Sequence, residues 1–301
     1  MILCCGEALI DMLPRTSAEG EAAFAPHAGG AVMNTAVALG RLGAPVQFFS
    51  GLSDDLFGDV LRDHLAASKV DTTPVHTSSK PTTLAFVKLV NGQASYAFYD
   101  ENTAGRMLGT DHLPEVAAET LFFGGISLVV EPCGATYEAL MLREAPSKLT
   151  MIDPNIRPSF ITAEARYRAR LAAMLGQADI VKISDEDLAW YNGSDDVASL
   201  FEGTQTSCVL LTRGAEGVTV HTRDAKADVA AEKATVVDTV GAGDTFNAGF
   251  LAGLSKSGHL TKAAFAQVSM DALCDAAAFG AKTAAITVSR AGANPPWAHE
   301  V

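Results

Sequence analysis

An α/β fold with a mostly parallel central sheet is what the sequence predicts, on three observations. Short β-branched or apolar runs alternate with longer Ala/Leu-rich segments of helical period, the pattern of a parallel sheet covered by helices. With 301 residues, 26 glycines and 48% hydrophobic residues, the chain is long enough to bury a full core. No repeat, low-complexity tract or Pro/Ser-rich linker interrupts it, which predicts one domain over residues 1–301.

The elements follow in order. The apolar run Ile2–Ile10 reads as the first strand, and Val32–Leu42, apolar at helical spacing, as the first helix. Val46–Ser50 is a strand and Leu56–Ala67 a helix. Leu121–Phe123, Leu149–Asp153, Ile180–Ile183, Val209–Thr212, Val218–His221 and Ala285–Val288 read as further strands. Gly134–Glu144, Ala163–Leu175, Glu186–Tyr191, Asp244–Lys256 and Thr261–Ala278 read as helices. Two stretches break the rhythm: Glu21–His27, and Pro81–Asp100, where TTLAFVKLV and QASYAFYD flank the hairpin dipeptide Asn91-Gly92. They predict antiparallel strands added to the α/β body.

Charge and cysteine usage narrow the function. Lys and Arg total 22 against 35 Asp and Glu, a net charge of −13, the wrong sign for nucleic acid or an anionic membrane. The stretch from Met1 to Leu13 carries Glu7 and Asp11 with no basic residue before Arg15, unlike a signal peptide, and no run of about 18 apolar residues lacks a charge. Five cysteines without a C-x-x-C pair speak against a disulfide framework or a structural zinc site, and the seven histidines show no metal-binding spacing. A soluble cytoplasmic protein is the expectation.

The segment from Asp238 to Leu254, DTVGAGDTFNAGFLAGL, carries the chemistry. Gly241, Ala242 and Gly243 are small enough to expose consecutive N–H groups where an apolar helix begins, which makes an anion hole. Asp244, in the first turn, is stabilised there as a carboxylate and should be ionised at neutral pH. An anion hole beside a carboxylate suits phosphoryl transfer, although an isolated G-x-G-D is more often a plain helix cap. Three upstream features favour chemistry. GGAVMNTAVALGRLG places Gly29, Gly30 and Asn34 at a helix start, where glycines admit a ligand and Asn34 can serve a hydroxyl. Asp11 ends the first strand, on the sheet edge where open α/β folds bind ligands, and DPNIRP, with Arg157 positioned for a phosphate, follows a strand in the same way.

Together these motifs resemble the ribokinase family of ATP-dependent carbohydrate kinases, the PfkB type, from Ile2 to about Trp297. GGAVMNTAVALGRLG resembles the family's N-terminal signature, DTVGAGDTFNAGF its C-terminal one, and GLSDDLFGDVLRDHL also fits. DPNIRP and KPTTLAFV look most like bacterial fructokinases. The resemblance implies a ribokinase-like three-layer sandwich with a β lid formed by about 12–28 and 81–103. It implies Asp244 as catalytic base, the 241–243 amides as anion hole, and Asp11, Gly29, Gly30, Asn34, Phe98 and Arg157 on the sugar. TRGAEG, with Thr212, Gly214 and Gly217, resembles the family's loop under ATP. KISDED puts Lys182 and Ser184 on the nucleotide side and Asp187 near Mg2+ through water, with Asp185 and Glu186 as alternatives. Asp238 with the carbonyls of Val240, Thr287, Arg290 and Gly292 matches a monovalent-cation (K+) site.

The expected activity is transfer of the ATP γ-phosphoryl group to a primary hydroxyl of fructose. The alternatives are a kinase of 2-keto-3-deoxygluconate, ribose or a nucleoside, and a non-catalytic sugar sensor. The sugar acid is disfavoured because Asp100 and Glu101 stand where a cation would be needed, and they would repel a carboxylate. The exposed edges of Pro81–Asp100, with Phe86, Tyr96, Phe98 and Tyr99, imply a homodimer joined through the lids.

Overall fold

The computed structural model describes residues 1–90 and 93–301; the expected Asn91-Gly92 turn lies outside the described residues. The chain begins β1 (Ile2–Cys5), β2 (Leu9–Thr16), β3 (Ala22–Gly29), α1 (Ala31–Arg41), β4 (Val46–Phe49) and β5 (Gly51–Ser53). It continues α2 (Leu56–Ala67), β6 (His76–Ser78), β7 (Leu84–Val90), β8 (Gln93–Tyr99), β9 (Thr120–Gly124), α3 (Cys133–Glu144) and β10 (Leu149–Asp153). Then come α4 (Glu164–Gln177), β11 (Ile180–Ser184), α5 (Asp185–Asn192), β12 (Cys208–Thr212), β13 (Val218–His221) and β14 (Lys226–Val229). Helices α6 (Ala242–Lys256), α7 (Lys262–Phe265) and α8 (Met270–Val288) end the fold.

The main sheet has eight strands in the order β14-β13-β12-β11-β10-β9-β1-β4. It is parallel from β12 to β4, and β13 and β14 run antiparallel at one edge. Strand side chains alternate between two cores. Ile2, Cys4, Phe122, Met151 and Leu210 pack with residues of α1, α6 and α8, whereas Leu3, Cys5, Phe123, Ile152 and Leu211 pack with residues of α3 and α4. The result is three layers, helix on sheet on helix.

A separate four-stranded sheet has the order β3-β2-β7-β8, antiparallel except where β2 meets β7. Its root is held by Asp55, the N-cap of α2, which accepts from Phe57 N and Gly58 N and also from Thr82 N and Oγ1 just before β7. The GLSDDLFGDVLRDHL motif is thus explained by its junction with this sheet.

Three expectations need correction. Ile2–Ile10 is two strands: the chain leaves the main sheet at Gly6, where a Cβ would lie 2.4 Å from Val32 Cγ2, and re-enters as β2 in the smaller sheet. That sheet accordingly begins at Leu9 rather than about 12. Ala285–Val288 is the last turn of α8, because packing on α6 outweighs the strand preference of Ile286, Thr287 and Val288; Thr287 Oγ1 lies 3.1 Å from Thr245 Oγ1. Finally, Thr261–Ala278 is broken into α7 and α8, and Ser269 caps the second by accepting from Ala272 N.

Helices α6 and α8 meet along a seam of small residues. A Cβ on Gly249 would stand 2.3 Å from Thr283 Oγ1 and 2.7 Å from Gly280 Cα, so only glycine permits this approach.

Candidate active site

A cleft of about 540 Å³ opens between the C-terminal edge of the parallel strands and the four-stranded sheet. Its walls include Asp11, Gly30, Asn34, Phe98, Arg157, Lys182, Gly241, Ala242, Gly243 and Asp244. Residues more than 200 positions apart in the chain therefore converge on one space, at the sheet edge where open α/β folds place ligands.

The floor is the start of α6. Gly241 is its N-cap at φ 77°, a left-handed conformation that turns the 241–243 backbone toward the cleft, and Thr245 N closes the first turn on Gly241 O at 2.9 Å. Asp244 is buried, and its Oδ2 accepts from Asn34 Nδ2 at 2.9 Å. The helix terminus was expected to keep this carboxyl ionised; instead burial dominates and pushes it up to about 7. The Asn34 bond and the charge of Lys182 pull it down, while the charges of Asp153 and Glu7 push it up. A carboxyl poised near neutrality is suited to accept a proton.

The upper wall comes from the four-stranded sheet. Asp11 lies in β2, not at the end of a main-sheet strand as the sequence suggested, and its carboxyl is pushed up to about 6 by burial. Gly29 does not line the cleft; it backs Asp11, because a Cβ there would sit 2.4 Å from Asp11 Oδ2. Gly30, at φ 109°, is confined in the same way by the Glu7 carbonyl at 2.9 Å. Phe98 packs edge-on against Phe160, with ring centroids 4.3 Å apart. Arg157 lines the cleft but is exposed, and its Nη1 donates to the carbonyl of Ile156.

Glu7 and Asn155 of the cleft, and Asn247 behind it, escaped the sequence reading, whereas Asp153 opens the DPNIRP motif already placed on this edge. Glu7 is buried where α1 begins, with Oε1 accepting from Ala31 N and Oε2 from Ser127 N. Asn155 holds φ 45°, an uncommon conformation for a residue other than glycine, within DPNIRP. Asp153 Oδ2 accepts from both Lys182 Nζ at 2.9 Å and Asn247 Nδ2 at 2.7 Å. Asn247 follows Asp244 by three positions, so helical spacing could have placed it on the same side of α6.

The residues expected on the nucleotide side stand apart from this cleft, Lys182 excepted. Ser184 caps α5 by accepting from Asp187 N at 3.1 Å. Thr212 ends β12, and Gly214 and Gly217 shape the tight turn that leads antiparallel into β13. Asp185 and Glu186 are exposed, but Asp187 is buried, accepts from Ile156 N, and is pushed up to about 6 by burial and by the charge of Asp153. A hydrated divalent cation fits beside Asp187, since it would relieve two buried carboxylates that share one lysine. The Asp238 carboxylate joins two loops, accepting from Val240 N at 3.0 Å and Gly292 N at 2.9 Å. Thr287 and Arg290 share a turn next to it through Arg290 N and the Thr287 carbonyl. Both Asp238 oxygens and the carbonyls of Thr287 and Gly292 accept backbone N–H groups here, so these loops are tied together by hydrogen bonds.

A second cleft of about 400 Å³ shares Glu7, Leu9, Phe98, Ile126 and Phe160 with the first. Here the charge argument from the sequence needs correction: Asp100 is not a bare anion, because Arg106 Nη1 donates to both of its carboxylate oxygens at 3.1 Å. Among the described residues, Glu7 and Glu101 are the carboxylates of this wall without an ion-pair partner.

Comparison with known proteins agrees with this geometry. The chain is 54% identical over 278 residues to a fructokinase of Rhizobium leguminosarum bv. trifolii, covering 91% of this chain and 85% of that protein. It superposes with a TM-score of 0.88 on the ATP-bound fructokinase of Xylella fastidiosa, at 31% identity, covering 97% of this chain and 93% of that one. An uncharacterized sugar kinase of Pyrococcus horikoshii in complex with ATP gives a TM-score of 0.85 at 26% identity, covering 100% and 97%. The pattern of the pfkB family carbohydrate kinases matches residues 1–300, and with the cleft just described it makes this chain a member of that family, an ATP-dependent carbohydrate kinase of ribokinase-like fold.

Proposed function

We propose that this kinase transfers the γ-phosphoryl group of ATP to a primary hydroxyl of fructose. The observation that carries the reading is Asp244, buried and poised near neutrality directly behind the Gly241–Gly243 backbone. The sugar oxygen attacks the γ-phosphorus while Asp244 takes the hydroxyl proton, the bond from that phosphorus to the β,γ-bridging oxygen breaks, and ADP departs. The 241–243 amides meet the charge that develops on the phosphoryl oxygens. Asp11, Gly30, Asn34 and Phe98 hold the sugar, and Arg157 comes in over the phosphates. The Thr212–Gly217 turn and Ser184 lie on the side assigned to the nucleotide. Asp187 would hold Mg2+ through water, and the ion would supply charge neutralisation to the phosphates; Asp238 would be the carboxylate beside K+. Closure of the four-stranded sheet as a lid excludes the water that would otherwise hydrolyse ATP.

Fructose is favoured by the 54% identity to a protein named fructokinase and by the polar, hydroxyl-suited wall of Asp11 and Asn34. Under saturating Mg-ATP, ADP release should give the highest kcat/KM with fructose among fructose, ribose and 2-keto-3-deoxygluconate. A preference for the acid would overturn the substrate assignment, and sugar binding without turnover would overturn the kinase.

A base must be ionised to act, so kcat/KM for the sugar should rise with pH through about 7, following the carboxyl of Asp244. Removing Lys182 or the Asn34 amide, both of which hold that carboxyl down, should move this limb to higher pH, whereas neutralising Glu7 should move it lower. A rate limb centred near pH 4 would contradict the assignment.

The proposal includes a homodimer joined through the lids. Phe24 is 48% and Tyr99 63% exposed, both packed edge-on against Phe86 on one face of the small sheet, at centroid distances of 5.0 and 5.4 Å. Tyr96 lies outside the described side chains. Light scattering at micromolar concentration should return twice the chain mass of 31.4 kDa, and a strictly monomeric mass would count against this assembly.

A further inference from the structure

Strand β8 lies at the edge of the four-stranded sheet, where among the described residues it pairs with β7 alone. Near its end it carries Phe98, which lines both clefts. An edge strand has no ladder on its outer side to keep it in place. The end of β8 is held by charge instead. Asp100 directly follows Tyr99, the last residue of the strand, and both of its carboxylate oxygens accept from Arg106 Nη1 at 3.1 Å.

Arg106 belongs to the body of the molecule. Its carbonyl accepts from Cys133 N at 3.1 Å, where α3 begins, and its Nε donates to the Glu131 carbonyl at 3.3 Å. The Glu131 carboxylate accepts in turn from Arg170 Nη2 and from Ala135 N. Arg170 of α4, with its side chain 3% exposed, also donates to the Leu128 carbonyl at 2.7 Å and to Glu138 Oε2 at 3.1 Å. The segment from Leu128 to Glu131 is therefore fixed to α3 and α4. Val129 and Val130 within it line the second cleft together with Asp100 and Arg106. One guanidinium thus spans from the small sheet to the rigid wall of that cleft. A lysine has a single nitrogen and cannot reproduce a fork that serves two acceptors in fixed directions.

We propose that Arg106 is a positioning residue: it is a strut that ties the end of β8 to the 128–131 segment, and so sets the width of the second cleft and the seat of Phe98 over the acceptor. The inference rests on the reading of this chamber as the sugar site closed by the small sheet. Arg106 acts through Asp100 and Phe98, and not on the reacting atoms. Because the two side chains are 31% and 24% exposed, the pair adds little to global stability, and its loss should show in binding rather than in melting.

The test is Arg106→Met, Asp100→Ala and the double variant, measured with whichever sugar the wild type phosphorylates best. Each single variant should raise sugar KM by about tenfold while ATP KM stays within roughly twofold and the melting temperature within a few degrees. The double variant should be no worse than about twice the weaker-binding single one, since both changes remove the same strut. Amide hydrogen exchange in β8 should quicken by at least about tenfold in each variant, with β10 and β11 unchanged. The inference is overturned if Asp100→Ala leaves sugar KM at the wild-type value while Arg106→Met raises it, since Arg106 would then touch the sugar itself. Additive effects, unchanged exchange in β8, or variants that melt far below the wild type would also overturn it, the last because the pair would be structural. Wild-type protein without turnover on any sugar overturns the proposed reaction, and the exchange measurement still decides on the strut.

Discussion

Asp244→Asn is expected to lower kcat by about 10²–10⁴-fold, because the amide keeps the shape of the carboxyl but cannot take the sugar proton. The surroundings support so clean an outcome. Asp244 is buried in the first turn of α6 and receives one hydrogen bond from Asn34 Nδ2, so an asparagine amide with its oxygen toward Asn34 preserves that contact. The loss then falls on the chemical step, and the sugar KM should change only a few-fold. Initial rates of ADP release decide the matter: a variant retaining more than about a tenth of the wild-type kcat would place the base elsewhere. The buried Asp153 and Glu7 are the carboxylates that would then need testing.

Asp11→Ala should act on the other substrate constant. A carboxylate offers acceptors only, and each charged hydrogen bond to a sugar hydroxyl contributes about 1.5–3 kcal/mol, so losing two should raise sugar KM by at least about 10²-fold. The KM for ATP should hardly move, because Asp11 lies on β2, across the cleft from the Gly241–Gly243 turn. Burial pushes the Asp11 carboxyl up to about 6, so sugar binding by the wild type should already weaken below that pH, where the acceptor becomes protonated. An effect confined to ATP would remove Asp11 from the sugar site.

Much of this was legible in the chain, and the limits have physical causes. Parallel strands buried on both faces announce themselves as continuous apolar runs, and the helical period of α2 matched its observed bounds, Leu56–Ala67, while the structure adds Asp55 as its cap. The same property hid the break at Gly6, since both β1 and the start of β2 are buried and the run does not change character. Strand preference misread Ile286 to Val288 because the packing of α8 on α6 is invisible in a local window. Local chemistry located Asp244, Gly241, Asn34 and Asp11 individually. The bonds between Asn34 and Asp244, Lys182 and Asp153, and Asn247 and Asp153 span 210, 29 and 94 positions, and no local pattern encodes them. The Asp100–Arg106 pair spans only six, but its meaning depended on which wall of the cleft it faced.

That Asp11 belongs to the small sheet and not to the main one has a consequence for fidelity. On the proposed reading, the residue that would bind the sugar is built into β2, a strand of the sheet that would close over the chamber. A molecule that fails to satisfy Asp11 consequently fails twice, bound loosely and left in a chamber still open to solvent. Water, the commonest wrong acceptor in the cell, is the extreme case: it is too small to draw β2 inward. Nucleotide wastage should therefore track sugar recognition, and a chain whose β2 is loosened should leak phosphate from ATP even when its base and anion hole are intact.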